Sequence, residues 1–175
     1  MVLQFDEMYI DKKFEYRQDG IHGYCENRNG NNGLAQSVLG IMITSMFTKY
    51  KEVVRLIPVA HLSANDLYKY LQEAMAFVQR KHGFIVGMLS ADDHRINQKV
   101  FKMLSPNFEQ GEVSFQNPQH HHLKVFLKFD VVHILKNIRN NWMSKQTMSV
   151  PSFEGDTNEA EIVNWKCLEV SSIKI

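Results

Sequence analysis

Phe84-Ile85-Val86-Gly87-Met88-Leu89-Ser90-Ala91-Asp92-Asp93 is the stretch on which the fold turns. It opens as an almost unbroken apolar run and stops abruptly at a serine, an alanine and two aspartates. Such a run, where it follows a helix, reads as a central strand covered on both faces. Immediately before it lies the clearest helix of the chain, Ser63–Gly83. Leu67, Leu71, Ala74, Met75 and Val78 share one face there, and Ser63 with Asp66 resembles a capping box. Arg80-Lys81-His82 suit the negative end of the helix dipole, and Gly83 supplies the terminating residue. An apolar run after such a helix predicts a central strand over Phe84–Leu89. Asp92-Asp93 then lead into a second helix, about His94–Leu104.

Upstream, Val2–Tyr9 alternates as a strand does, with Leu3, Phe5 and Glu7 on one side and Gln4, Asp6 and Met8 on the other. An extended piece from about Lys13 to Glu26 runs into Asn27-Arg28-Asn29-Gly30-Asn31-Asn32-Gly33, the strongest loop signal, since Asn and Gly tolerate positive φ. Ser37–Phe47 and Val53–Val59 read as two antiparallel strands joined by a turn, which completes a three-stranded meander. Downstream, an irregular stretch (Ser105–His122) gives way to a fifth strand, Leu123–Phe129, and a helix over about Val131–Trp142. In the tail, Ser144–Ile175, a helix near Asn158–Cys167 is expected. The order β-β-β-α-β-α-β-α is that of a ribonuclease H-like mixed α/β sheet, in which the fourth strand pairs in parallel with the first. Right-handed crossover places helix Ser63–Gly83 on one face. The pattern alone leaves other α/β arrangements open.

At 175 residues the chain has the size of one domain, or of one domain and the start of another. A hydrophobic fraction of 44% and a charged fraction of 22% exclude disordered and fibrous classes. No apolar run reaches the roughly 18 residues of a membrane helix, and no secretory signal opens the chain, so a soluble intracellular protein without a membrane partner is expected. The net charge of +1 argues against gripping nucleic acid through bulk charge, though not against a local basic face. Cys25 and Cys167, with no CxxC, exclude a paired-cysteine zinc module and suggest two reduced thiols.

Were the first and fourth strands neighbours, Asp6 and Asp92 would face each other, and two such carboxylates repel unless a cation lies between them. Mg²⁺ is held by one or two carboxylates with water and phosphate oxygens, and a pair of such ions serves phosphodiester chemistry. The competing reading makes Asp6 a solvated strand residue and Asp92 a helix N-cap. Glu7 and Asp93 compete for the same roles. On the helix after Asp130, itself a plausible N-cap, His133, Lys136, Asn137 and Asn140 share a face suited to phosphate or an acidic partner. The alternative is an ordinary solvated face, with Ile134, Leu135, Ile138 and Trp142 buried behind it. His120-His121-His122 reads as an exposed loop-to-strand junction, the methionines as core filler, and Gly30–Gly33 lacks the ending of a phosphate loop.

Three segments carry a family resemblance. Asp6-Glu7-Met8 resembles the DEM strand of the P-element type transposases, the group that includes the THAP-domain transposase-like proteins. Ser90-Ala91-Asp92-Asp93-His94-Arg95-Ile96-Asn97 with Phe101 is similar to the family's SDNHRxN…F segment, with Ala91 in place of its second serine; this register selects Asp92 over Asp93. Phe129-Asp130-Val131-Val132-His133 through Trp142 is similar to FDPVHLLKNIRNNW, with Val131 in place of proline. The resemblance covers roughly residues 2–145. It implies a DDE/D-type DNA transposase with a ribonuclease H-like core over residues 1–130, incomplete at the C-terminus, and a junction helix with the start of a GTP-binding insertion over 131–175. Asp6 and Asp92 are then catalytic ligands of Mg²⁺ or Mn²⁺, and His133, Lys136, Asn137 and Arg139 are candidate phosphate or junction contacts. The implied partners are transposon-end DNA and, as an option, further copies of the chain, in the nucleus; GTP is implied only by the family. The third acid lies beyond the insertion in the family, so little strand transfer is expected of these residues alone. A domesticated DNA- or protein-binding module that keeps the fold without cutting is the alternative.

Overall fold

The structure, a computed structural model, describes residues 1–18, 20–25, 33–145, 147–151 and 160–164. Its strands and helices fall into two units, Met1–Asp130 and Val131–Ile175.

The first unit is organised by strand β1 (Val2–Tyr9), whose alternation buries Leu3 and Phe5 and exposes Gln4, Asp6 and Met8. Within the extended piece Lys13–Glu26 lies a separate two-stranded hairpin, β2 (Glu15–Arg17) and β3 (Gly20–His22). Asn27–Asn32, the core of the expected loop, lies outside the described residues. Strands β4 (Ser37–Thr44) and β5 (Lys51–Val59) complete the meander, β4 antiparallel to both β1 and β5. β4 ends at Thr44 rather than Phe47. Ser45 Oγ accepts from Phe47 N at 3.2 Å and Thr48 N at 3.1 Å, which folds the chain into a turn. A bulge where Ile41 pairs with Arg55 but Met42 with Val53 adds a residue to edge strand β5.

Helix α1 (Ala64–His82) follows the pattern its sequence carries. Ser63 Oγ accepts from Asp66 N at 3.1 Å and donates to Asp66 Oδ2 at 2.6 Å. Gly83 closes the helix in the left-handed region at φ 69°. Its buried stripe, Leu67, Leu71, Met75 and Val78, packs on the sheet face that carries Leu3, Leu39, Ile41, Ile57 and Leu89. Each such side chain contributes about 1.5–3 kcal/mol of burial.

The central strand, β6 (Met88–Ala91), begins four residues later than the apolar run suggested. Val86 supplies the reason, because its backbone is bonded to side chains: its N–H donates to Gln79 Oε1 at 3.3 Å and its carbonyl accepts from Asn117 Nδ2 at 3.0 Å. Helix α2 (Arg95–Leu104), a 3₁₀ turn at Phe108–Gln110, the short strand β7 (Ser114–Gln116) and β8 (Lys124–Phe129) follow. The sheet order is β5-β4-β1-β6-β8-β7, with β6 parallel to both β1 and β8. This is the ribonuclease H-like mixed sheet expected from the element order. One face is buried under α1 and α2. On the other, Gln4, Asp6, Met8, Leu56, Phe126 and Lys128 are exposed.

The second unit holds α3 (Val131–Lys145) and the antiparallel pair β9 (Thr147–Pro151) and β10 (Ala160–Asn164). The helix expected near Asn158–Cys167 is a strand where it is described, a state that suits the β-branched pair Ile162-Val163; its remaining residues lie outside the described set. The stripe assigned as the buried side of α3 is not buried. Leu135 and Ile138 are exposed, Ile134 and Trp142 half-buried, and no residue of the helix is enclosed. Amphipathic spacing reports a face able to bury, and a partner surface must supply the rest. No described helix is long and apolar enough to cross a membrane.

Candidate active site

The carboxyl ends of β1 and β6 carry the candidate acids. Their parallel register pairs Val2 with Met88, Leu3 with Leu89 and Gln4 with Ser90, and two residues further along each strand stand Asp6 and Asp92. Both line one cleft, together with Glu7, Tyr9, His94 and Asn97. The ladder continues past β6: Asp130 N donates to Ala91 O at 2.7 Å, one residue beyond the Ala91–Phe129 pair, so Asp130 follows Asp92 in the same row.

Each acid of the neighbourhood has a distinct environment. Asp6 is exposed, and its Oδ1 accepts from the N–H of Glu7 at 2.9 Å. Glu7 belongs to the opposite, helix-covered side of the strand, where its Oε1 accepts from the hydroxyl of buried Ser37 at 2.5 Å. Asp92 is half-buried. Its Oδ1 accepts from His94 N at 3.1 Å and from Asn97 Nδ2 at 2.6 Å, and its backbone carbonyl accepts from the same amide at 3.3 Å. The side chain to N–H(i+2) bond is an Asx turn, and it steers the chain from β6 into α2. Asp92 is therefore not the N-cap: that position is held by His94, whose side chain makes no capping bond. Asp93 is exposed and bound by Gln98 Nε2 at 2.8 Å, and it is absent from the cleft lining.

Asp6 and Asp92 offer hard carboxylate oxygens in one cleft, the kind and number of protein ligands with which Mg²⁺ is commonly held. Among the described residues no group of three or more His, Cys, Asp or Glu is arranged to hold a metal. The fit is to a cation that keeps most of its water, not to a closed protein cage.

His133, Lys136, Asn137 and Arg139 lie exposed on α3 in the second unit. The first three share a face with Asn140, while Arg139 turns its guanidinium onto Asn140 Oδ1, with Nη2 at 3.0 Å and Nε at 3.3 Å. The acid cleft is built from the first unit alone. His120–His122 form the expected turn before β8, and Cys25 is a buried thiol. Sequence reasoning missed two residues of the cleft's surroundings. Asn97 stands in the segment that carries the family resemblance, but without a role; the signal for one is its place as a buried-side amide in the first turn of an amphipathic helix, five residues after Asp92. Ser37 carried none, because only the register of β4 against β1 brings it to Glu7.

Comparison with known proteins agrees with this architecture. The family model described as TNP-like, RNase H N-terminal domain, matches residues 1–105. Among solved structures, the Drosophila P element transposase strand transfer complex aligns over 97% of this chain at 19% identity with a TM-score of 0.69. The chain spans about a third of that protein, 33% of its length. The Mos1 transposase paired-end complex with left transposon end aligns over 82% of this chain and 47% of its own at 16% identity, with a TM-score of 0.29, too low to bear on fold. No curated protein matches in sequence.

Proposed function

From the membership of this chain in the TNP-like RNase H N-terminal domain family, whose fold it shares with the P element transposase, we propose that it is part of a DDE/D-type catalytic core in which Asp6 and Asp92 hold Mg²⁺ or Mn²⁺ against DNA. The observation that carries the proposal is the parallel β1–β6 register, which supports bringing both acids to one cleft at the carboxyl ends of their strands. A bound divalent ion there would supply Lewis acidity toward a phosphodiester and its attacking water or 3′-hydroxyl. The chain's own part is to hold two anionic side chains at adjacent strand ends and to fix Asp92 through Asn97 and His94 N. Lys136, Asn137, His133 and Arg139 are proposed as phosphate or junction contacts of α3, and residues 131–175 as the start of the family's inserted domain; GTP and nuclear action enter only with that analogy.

In-line transfer needs the reacting oxygens clamped by a full ligand set, and the resemblance matches only two of its three acids to these residues. On this reading the 175-residue chain binds cation and DNA but transfers strands little or not at all. The test is Mn²⁺ binding by the whole chain alongside nicking of duplex DNA. Binding lost in Asp6→Asn and Asp92→Asn supports the cation site; brisk nicking abolished by Asp92→Asn refutes the expectation of weak activity. A non-catalytic DNA- or protein-binding module is the second reading, favoured by the near-neutral net charge of +1. It predicts the same Mn²⁺ titration with and without the two aspartates.

A further inference from the structure

Resting on the cation reading of the cleft, we infer that Asn97 is a positioning residue that decides which oxygen of Asp92 a cation can reach. Asn97 is 8% exposed and stands in the first turn of α2. In a capping box a side chain at this place reaches back to the N-cap N–H. Here the carboxamide bypasses His94 and donates to Asp92 instead, at 2.6 Å to Oδ1 and 3.3 Å to the backbone carbonyl. His94 N adds a second donor on the same Oδ1 at 3.1 Å. Both side-chain donors fall on Oδ1, and no donor to Oδ2 is found among the described residues. Of the two oxygens of this cleft-lining carboxylate, one is thus engaged and the other open.

That arrangement has a chemical consequence. Ca²⁺ readily takes both oxygens of one carboxylate, while Mg²⁺ takes single oxygens in a strict octahedron with retained water. A carboxylate pinned through Oδ1 offers the single-oxygen mode. Asn97 therefore favours the smaller ion by denying the larger one its second oxygen.

Gln98 provides an internal control. It binds Asp93 in the same pattern, with Nε2 at 2.8 Å from Oδ1 and 3.4 Å from the carbonyl, but Asp93 is exposed and outside the cleft lining.

The test is a competition titration on the full chain, with Mn²⁺ followed by electron paramagnetic resonance and displaced by Mg²⁺ or Ca²⁺. Loss of an outer partner of a ligand typically costs 10–100-fold in metal affinity. Asn97→Ala is expected to weaken Mg²⁺ about tenfold, to weaken Ca²⁺ less, and so to raise the Ca²⁺/Mg²⁺ preference; Gln98→Ala is expected to change neither. Unchanged affinities in Asn97→Ala, or an equal loss for both ions, would overturn the inference, since a merely structural role shifts them together. If Asn97→Ala does not fold by circular dichroism, the unaltered chain decides by NMR. The Asn97 side-chain NH₂ signals must move with Mg²⁺ occupancy, and signals that stay fixed while the chain binds Mg²⁺ overturn it equally. A wild-type chain that binds Mn²⁺ no better than Asp92→Asn removes the cation reading itself, and this inference with it.

Discussion

Asn117 is fully buried, and its carboxamide is the hub of a polar knot beneath the strand that leads to Asp92. Nδ2 donates to Gln79 Oε1 at 2.7 Å and to Val86 O at 3.0 Å, while Oδ1 accepts from Gln119 N at 3.0 Å and His120 N at 3.2 Å. Asn117→Asp keeps the acceptor and replaces the double donor by an acceptor aimed at two oxygens. Each lost bond is worth about 1 kcal/mol net, and a buried acceptor left unpaired costs about 1–3 kcal/mol more. At pH 7.5 the expected loss is therefore ~3–5 kcal/mol, a large share of a total of roughly 5–15 kcal/mol.

The loss should depend on pH. Burial among acceptors raises the folded pKa of an aspartate at this position above its unfolded value of about 3.9. Stability from a group with a raised folded pKa is present below the unfolded pKa and disappears as pH rises through the folded one. The protonated acid can donate to Gln79 or Val86, so a raise of two units would recover about 2.7 kcal/mol, reached in full only below about pH 3. Asn117→Ala has no proton to gain and should show no such slope relative to wild type. Urea unfolding at several pH values, read by hydrogen exchange in β8, measures this. An Asp variant within about 1 kcal/mol of wild type at pH 7.5, or equally weakened at both ends of the range, would refute the account of the knot as a net of obligatory donors. A flipped Gln79 could greet the carboxylate with its NH₂, but only by abandoning Val86 N.

Phe101 is fully buried and packs against Phe5, Phe108 and Phe129, with ring centroids 6.4, 5.7 and 4.8 Å away. Phe101→Ala should cost about 3–5 kcal/mol, seen as a lowered urea midpoint with an unchanged slope. Gly23 sits at φ 110°, and a Cβ there would stand 2.4 Å from Lys13 O, so Gly23→Ala should release the β2–β3 hairpin to faster hydrogen exchange while β1 and β4 stay protected. Ser63→Ala removes the N-cap of α1 and should destabilise the first unit by about 1 kcal/mol in the same urea assay, with Ser63→Asp recovering most of it.

Legibility followed the range of the forces involved. α1 could be read to the residue because its signals are local: a capping serine, an i+4 stripe and a terminating glycine lie within one segment. β1 was equally plain, since period two fixes which residues face inward. The start of β6 was misplaced because apolar content marks burial rather than ladder bonding, and Val86 is buried while bonded to Gln79 and Asn117. The helix expected around Asn158 gives way to a strand where it is described, as Ile162-Val163 favours, while the buried side expected of α3 is exposed for a reason related to that at β6. Spacing describes what a segment could bury, and only a partner surface decides whether it does. Around the cleft, alternation put Asp6 and Glu7 on opposite sides of β1 but left the choice between them, and between Asp92 and Asp93, to the family resemblance, whereas the contacts of Asn97 and Ser37 depend on loop and register geometry.

The mixed character of the sheet bears on why the cleft forms where it does. β1 has an antiparallel neighbour on one side and a parallel one on the other. The parallel partner ends beside the carboxyl end of β1, and in open α/β sheets that is where chains diverge and leave a crevice. The antiparallel partner begins there instead, setting Ser37 opposite Tyr9, within reach of Glu7. Consecutive acids on β1 are thereby sorted: Glu7 is tied down by the buried hydroxyl, and Asp6 remains on the open face. A one-residue slip of β4 along β1 would turn Ser37 away from Glu7 and Leu39, Ile41 and Ile43 out of the core, so the apolar set that holds the register also keeps the Ser37–Glu7 bond. If Asp6 holds a cation as proposed, substitutions that weaken the β1–β4 register, such as Leu39→Ala, should disturb that binding before they unfold the unit, a difference that titration and urea unfolding on one variant would expose.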